Sequence, residues 1–151
     1  GADFVKANGI RGFQIASPSI IGIRGVQVAF EMIAEAGIDA IASKAAIGTQ
    51  MMIDLFDAWL ADLGITLLTS RNAKERGGHI TLGHPDAARI CTALRQFANV
   101  IPDYRTPNSI RLAISPLPTS YVEVWDGFRR IRDLVASRQY EKVEEGGSRV
   151  T

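Results

Sequence analysis

The chain opens with two stretches whose hydrophobic residues recur at helical spacing. In residues 20–34 the apolar side chains cover nearly the whole circumference, which predicts a largely buried helix. Ser17 is its predicted N-cap, with a proline at the first helical position, and Gly37 is its predicted end. Residues 39–64 repeat apolar positions every three or four residues, so a second, longer helix follows.

The hydrophobic period then shortens to the alternation that is typical of β-strands. Residues 65–69 and 78–83 predict two strands, separated by a charged loop. Val100-Ile101 predicts a short third strand, and residues 110–115 predict a fourth with clear alternation. A helix that begins at Pro85 stands between the two pairs of strands.

The last predicted helix has a clear start signal. Ser120 and Glu123 stand at the spacing of a capping box, in which each side chain accepts a hydrogen bond from the backbone amide of the other residue. The composition becomes rich in Glu, Lys, Gly and Ser near the end of the chain. The sequence therefore predicts a lead-in segment over residues 1–16, a folded domain over residues 17–138 and a flexible tail over residues 139–151.

The order of the predicted elements defines the fold class. It is helix, helix, strand, strand, helix, strand, strand, helix, with short loops between paired strands. This order favours an α+β fold, a two-layer domain with a small, mostly antiparallel sheet covered by helices. A length of 151 residues, 46% of them hydrophobic, fits one domain with its own core.

Charge and composition limit the partners. A formal net charge of +1, with scattered basic residues, does not indicate a nucleic-acid-binding surface. No apolar run reaches the length of a membrane span, and no secretory signal is visible. The single cysteine favours a reducing compartment, so we expect a cytoplasmic protein with neither a nucleic-acid nor a membrane partner. The chain begins with Gly1 instead of methionine, which suggests a fragment boundary.

Common catalytic motifs are absent from the sequence. It contains no nucleophile elbow, no phosphate-binding loop and no dinucleotide-binding glycine motif. Cys91 occupies an apolar position of a predicted helix, which is typical of a small buried side chain. His79 and His84 are too few ligands for zinc without a cysteine pair, so no metal site is predicted.

Arg111 and Ser17 are the candidates for binding an anion. Arg111 shares a strand face with Ala113 and Ser115, and these small neighbours leave room for a carboxylate that accepts two hydrogen bonds from the guanidinium. The alternatives are an arginine on an exposed sheet face or one paired with an acid such as Asp103. Ser17, at the predicted helix start, has the setting of a phosphate site, and plain capping is the alternative.

Several segments resemble segments of kynureninases and follow the same order from about residue 9 to residue 137. One is a Ser-Pro pair where those enzymes have Thr-Pro or Asn-Pro, and another ends in the pattern V-I-x-D-x-R-x-P-x-x-[IL]-R. The segments are residues 13–20, 76–82, 100–111 and 116–125. The one that ends at Arg111 is the most specific.

The resemblance implies the small C-terminal domain of a fold-type I, pyridoxal-phosphate-dependent enzyme that acts as a homodimer. Such enzymes hydrolyse L-kynurenine, or its 3-hydroxy form, to anthranilate and L-alanine in tryptophan catabolism and the kynurenine pathway toward NAD biosynthesis. By this resemblance Arg111 binds the substrate α-carboxylate. Ser17 helps to hold the cofactor phosphate of the neighbouring subunit. The partner is a pyridoxal-phosphate-binding large domain, in the same chain or in a separate one.

The sequence departs from that family in ways that bear on activity. Pro118 stands where the family has tyrosine, and Gly83 where bacterial relatives often have a larger residue. None of the lysines matches the context of the cofactor lysine, so the isolated chain is predicted to be inactive; these are Lys6, Lys44, Lys74 and Lys142. Two alternatives remain: a stand-alone, non-catalytic binding or dimerisation domain, and the small domain of a related aminotransferase or cysteine desulfurase.

Overall fold

A computed structural model describes residues 5–14 and 16–143 of the chain. The chain divides into two compact units, Gly1–Ile38 and Asp39–Thr151. The second unit contains most of the secondary structure and the hydrophobic core. Each unit is described by itself.

The first unit consists of a short 3-10 helix, Gly9–Phe13, and the helix α1, Ile20–Ala36. The predicted N-cap at Ser17 is wrong, because α1 begins two residues later. Ser19 is the N-cap, and its hydroxyl accepts a hydrogen bond from the amide of Gly22 at 3.2 Å. The predicted end is confirmed: Gly37 has a φ of 79°, a conformation that glycine adopts without strain.

Helix α1 was predicted to be largely buried, but none of its residues is buried in this chain. Its large apolar side chains are exposed on every face; they include Ile20, Ile21, Ile23, Val26, Val28, Phe30, Met32 and Ile33. An apolar surface of this extent is typical of an interface with another protein surface.

The second unit is a four-stranded antiparallel sheet with three helices among the described residues. The helices are α2, Ile38–Trp59, α3, Ala87–Phe97, and α4, Tyr121–Ala136. The strands are β1, Thr66–Leu67, β2, His79–Gly83, β3, Asp103–Arg105, and β4, Ser109–Ala113. Their order in the sheet is β1-β2-β4-β3. The predicted α+β class and the predicted order of elements are confirmed.

One face of the sheet is covered by the helices and forms the core. Alternation along β2 and β4 buries Ile80, Leu82, Ile110 and Leu112 in one hydrophobic cluster. The helices cover these strand residues with apolar side chains of the same cluster. They include Met52, Ile53 and Phe56 from α2, Ile90, Cys91 and Leu94 from α3, and Val124, Phe128, Ile131 and Leu134 from α4. The other face of the sheet, which we call the open face, is partly exposed and includes Thr81, Arg111 and Ala113.

The start of α4 agrees with its sequence signal. The amide of Glu123 donates to the Ser120 hydroxyl at 3.2 Å, and the amide of Ser120 donates to the Glu123 carboxylate at 2.7 Å. The amide and the hydroxyl of Ser120 both donate to the Glu123 carboxylate and hold the pKa of Glu123 below its usual range. The capping box is therefore confirmed.

The predicted strand at Val100-Ile101 is wrong. The amide of Val100 donates to the carbonyl of Leu94, so this residue completes the end of α3, and Ile101 is exposed. The third strand, β3, begins after the buried Pro102, which has no amide to donate to a sheet. Sequence alternation was too short here to locate the strand.

Part of the segment that was predicted as a flexible tail is folded. Residues Gln139–Lys142 form a 3-10 helix that packs against α3 and α4, and Tyr140 is buried. Val143 is buried too, and its carbonyl accepts a hydrogen bond from Arg89. The prediction for residues 144–151 lies outside the described part of the chain. Among the described helices, none has the length and apolar character needed to cross a membrane.

Candidate functional site

Strand pairing places Arg111 in the middle of a polar row on the open face. Thr81 of β2 pairs with Arg111 of β4, and Asp103 of β3 pairs with Arg111 from the other side. The alternation of the strand therefore directs Arg111 away from the core, as predicted, while its neighbours Ile110 and Leu112 are buried. The Arg111 side chain is 36% exposed, so solvent and ligands reach it.

Asp103 is the partner of the Arg111 guanidinium among the described residues. Arg111 Nη2 donates to Asp103 Oδ2, so the alternative in which Arg111 pairs with this acid describes the contact in this chain. The same oxygen accepts a hydrogen bond from Arg105 Nη2 at 2.8 Å. One carboxylate thus stands between two guanidiniums, and the cluster retains a net positive charge.

The charge of the cluster also governs the protonation of its acid. Partial burial alone would raise the pKa of Asp103, but the hydrogen bonds and positive charges of Arg105 and Arg111 outweigh it and hold the pKa below its usual range. Asp103 is therefore ionised at neutral pH. An incoming carboxylate would meet two arginines that share a single counter-ion.

The next row of the open face contributes to a concave pocket of about 410 Å³. Thr66, Gly83 and Ser109 come from paired positions of β1, β2 and β4, and His84 and Pro107 complete one side. Arg111 does not line this pocket. It lies two residues along β4 from Ser109, in the adjacent row.

Gly83 lines this pocket, and its neighbours leave no space for a side chain at this position. A Cβ at this position would lie 2.6 Å from Oγ1 of Thr66 and 3.3 Å from a methyl carbon of Leu68. Thr66 Oγ1 also donates to the carbonyl of Gly83 at 3.3 Å. The glycine thus permits close packing of β1 on β2.

His84 is neutral in the folded chain. Desolvation lowers its pKa, and the charge of Asp86 opposes this effect only in part. Its Nδ1 accepts a hydrogen bond from the amide of Asp86 at 3.0 Å, and its ring packs edge-on against Tyr140. Protonation of Nδ1 would break that hydrogen bond.

We expect acid to destabilise the chain through His84. Because its folded pKa is lowered, the unfolded state binds the proton more tightly, so the free energy of unfolding falls as the pH drops below 6.5, the ordinary histidine value. Urea titrations at a series of pH values measure this slope. His84→Asn keeps an acceptor without a titrating ring and should flatten this slope. Equal slopes for wild type and His84→Asn would contradict the prediction.

Arg76, in the segment 76–82, has a structural role. Its Nε donates to the buried hydroxyl of Thr49 at 3.2 Å, and its Nη2 donates to Gln50 Oε1 at 2.6 Å. Nη1 donates to the carbonyl of Arg71. The arginine therefore joins the loop before β2 to α2.

Ser17 belongs to the first unit and lies two residues before the N-cap of α1. Its side chain is exposed, and no other described residue bonds to its hydroxyl. It therefore does not cap α1. Its role in phosphate binding stays a prediction.

The structure also locates Cys91, His79 and His84, which the sequence had weighed as chemical candidates. Cys91 is 1% exposed, and burial raises the pKa of its thiol to about 12, so the prediction of a small buried side chain is confirmed. His79 lies on β2 and His84 follows the end of that strand. No group of three or more His, Cys, Asp or Glu side chains within the described ranges is arranged to hold a metal ion.

The sequence did not single out Arg105. The available signal was the spacing of Asp103 and Arg105, which places both side chains on one face of a strand. That signal was lost because the third strand was predicted at Val100-Ile101 instead.

Comparisons with known proteins agree with the resemblance. A family model described as the kynureninase C-terminal domain matches residues 41–131. The kynureninase of one strain of Bacillus cereus is 37% identical over 133 residues, which cover 87% of this chain and 31% of that protein. Those of Geobacillus thermodenitrificans and Shouchella clausii are each 37% identical over 130 residues, covering 86% of this chain and 30% of each protein. The chain thus spans less than a third of the length of these relatives.

Proposed function

Because the chain belongs to the family of kynureninase C-terminal domains, we propose that it is the C-terminal small domain of a kynureninase-type hydrolase. The reaction is the hydrolysis of L-kynurenine, or of 3-hydroxykynurenine, to anthranilate and L-alanine. The observation that carries the proposal is the Arg111 guanidinium on the open face, which shares Asp103 with Arg105 and so keeps a net positive charge. This cluster suits the α-carboxylate of an amino-acid substrate.

Arg111 acts as the carboxylate-binding residue of the substrate site. Its planar fork donates two parallel hydrogen bonds to a carboxylate, which fixes the orientation of the amino acid as well as its position. Orientation is the main contribution that this chain makes to the reaction, because it holds the reacting bonds in a fixed direction.

The residues of this chain also fit pyridoxal phosphate, for which the large domain would supply most of the binding site. Ser17 has an exposed hydroxyl that can donate to the cofactor phosphate of a neighbouring subunit. The cofactor, when bound, supplies the electron sink for carbanion chemistry. Lys44, Lys74 and Lys142 lie on separate elements, and Lys6 precedes the first 3-10 helix. We assign the cofactor lysine to the large domain.

The apolar surface of α1 supports a partner. Its exposed isoleucines, valines and Phe30 would be covered by the pyridoxal-phosphate-binding large domain, whether that domain lies in the same polypeptide or in another. We further propose that the complete enzyme is a cytoplasmic homodimer in tryptophan catabolism.

The test compares this chain with the full-length protein. Mixed with pyridoxal phosphate, the chain alone should bind no cofactor that survives dialysis and release no anthranilate from kynurenine. The full-length protein should retain the cofactor, seen by its visible absorbance, and release anthranilate. Stable cofactor binding by the chain alone would contradict the assignment of the lysine, and a full-length protein that retains cofactor but does not act on kynurenine would contradict the substrate.

A stand-alone binding or dimerisation domain is the second candidate. The exposed surface of α1 favours it as much as it favours a catalytic partner, because a second copy of the chain would cover the same side chains. The gene sequence upstream of Gly1 separates the two candidates. A start codon directly before Ala2, with no large-domain gene elsewhere, would favour this second function.

A further inference from the structure

The contact between Asp103 and Arg111 is built by the sheet itself. The two residues are direct partners in the β3–β4 ladder, so their side chains leave the sheet at the same height and on the same face. Arg105, two residues along β3, also points to this face and reaches the same carboxylate oxygen. The three side chains therefore form one cluster, which we call the open-face triad.

The backbone beneath Asp103 is anchored to the core. Arg95 of α3 donates from Nη2 to the carbonyl of Pro102 at 2.7 Å, and Pro102 is buried. On the other side, Tyr104 packs against the core cluster, and its hydroxyl donates to the carbonyl of Pro107 at 2.5 Å. The carboxylate of Asp103 therefore projects from a fixed point.

Within the open-face triad, Arg111 is held in place while most of its guanidinium N–H groups stay available to a ligand. A guanidinium has five N–H groups. In this chain Asp103 accepts from Nη2, and the other N–H groups of Arg111 have no partner within residues 5–14 and 16–143. Because Arg105 shares the carboxylate, the pair does not become electrically neutral.

We infer that Asp103 is a positioning residue for Arg111 and that Arg105 preserves the positive charge of the pair, so that a substrate carboxylate meets a guanidinium that is already oriented. The inference rests on the proposed role of Arg111. A free arginine side chain loses rotamer freedom when it binds a carboxylate. The contact with Asp103 restricts the Arg111 side chain before the ligand arrives, so that ligand binding costs less side-chain entropy.

The primary test measures binding in the full-length protein. Isothermal titration calorimetry compares the dissociation constants of L-alanine and L-alaninamide, which differ at the carboxylate. Wild type should prefer L-alanine. Asp103→Asn should reduce this preference about tenfold, a change in affinity that corresponds to the entropic cost of immobilising one long side chain. The KM for kynurenine should rise by a similar factor, while kcat changes less than about threefold.

One further variant serves as a control and another as a second test. Asp57→Asn is the control. It removes the exposed ion pair between Asp57 of α2 and Arg71, and it should leave both the preference for L-alanine and the KM unchanged. Arg105→Gln, at a side chain that is 54% exposed, is expected to fold and should reduce the preference about threefold, because Asp103 then neutralises Arg111 alone. It gives a second test if Asp103→Asn does not fold.

A double-mutant cycle separates this inference from the proposed function. In an Arg111→Ala background, Asp103→Asn should have no further effect on the preference, since there is nothing left to position. If Arg111→Ala abolishes the preference but Asp103→Asn leaves it unchanged or increases it, the positioning role is overturned and the role of Arg111 stands. If Arg111→Ala itself has no effect, the proposed function is overturned together with this inference.

Discussion

Replacing Arg111 by alanine should raise the KM for kynurenine about 100-fold or more in the full-length enzyme, the equivalent of losing a charged partner of the substrate carboxylate. The side chain is 36% exposed and its hydrogen-bond partner among the described residues is the shared Asp103, so its removal should leave the core intact. Steady-state kinetics of anthranilate release measure the effect. Thermal melting of the same sample shows that the variant is folded.

Arg111→Lys is the matched variant. Lysine keeps the positive charge but lacks the planar fork, so we expect a KM between those of wild type and Arg111→Ala. A result in which lysine restores wild-type KM would show that charge alone is needed. A wild-type KM in Arg111→Ala would remove the main support for the proposed function.

Tyr140→Ala should lower the free energy of unfolding by about 3 kcal/mol, the usual cost of truncating a large buried aromatic side chain. Tyr140 is 6% exposed and packs edge-on against His84, with ring centroids 5.7 Å apart. For a unit of this size, Tm should fall by about 12 °C or more. Scanning calorimetry of the chain measures both quantities.

Lys142→Ala is the control, because Lys142 lies on the same short helix and is exposed. It should change the stability by less than about 0.5 kcal/mol. A chain that ends after Arg138 should be destabilised at least as much as Tyr140→Ala, since it loses Tyr140 and Val143 together. If that shorter chain melts at the wild-type temperature, residues 139–143 do not contribute to the fold.

Both predictions concern contacts whose geometry local sequence patterns do not fix. Asp103 and Arg105 lie on β3, which begins three residues after the start of the predicted strand at Val100-Ile101, and Tyr140 lies in a segment whose composition is typical of disorder. Their roles depend on partners in β4, for Asp103, and on His84 after β2, for Tyr140.

The N-terminal helix illustrates the same limit on a smaller scale. From the sequence, Ser17 was predicted as the N-cap, with a proline at the first helical position. The structure selects Ser19, because its hydroxyl reaches the amide of Gly22. The choice moves Ser17 outside the helix but keeps its hydroxyl exposed for the role that the family resemblance implies.

The sequence by itself determined the features that follow from local pattern: the order of the elements, the α+β class, the capping box at Ser120, the buried Cys91 and the outward direction of Arg111. Residues 76–82 and 100–111 also carried the resemblance to the kynureninase family. Only the tertiary structure decided where β3 lies, that Asp103 serves two arginines, that Gly83 is required by Thr66, and that Tyr140 is buried. The physical reason is that periodicity and capping act between residues a few positions apart, whereas strand register and core packing join residues that are distant in the chain.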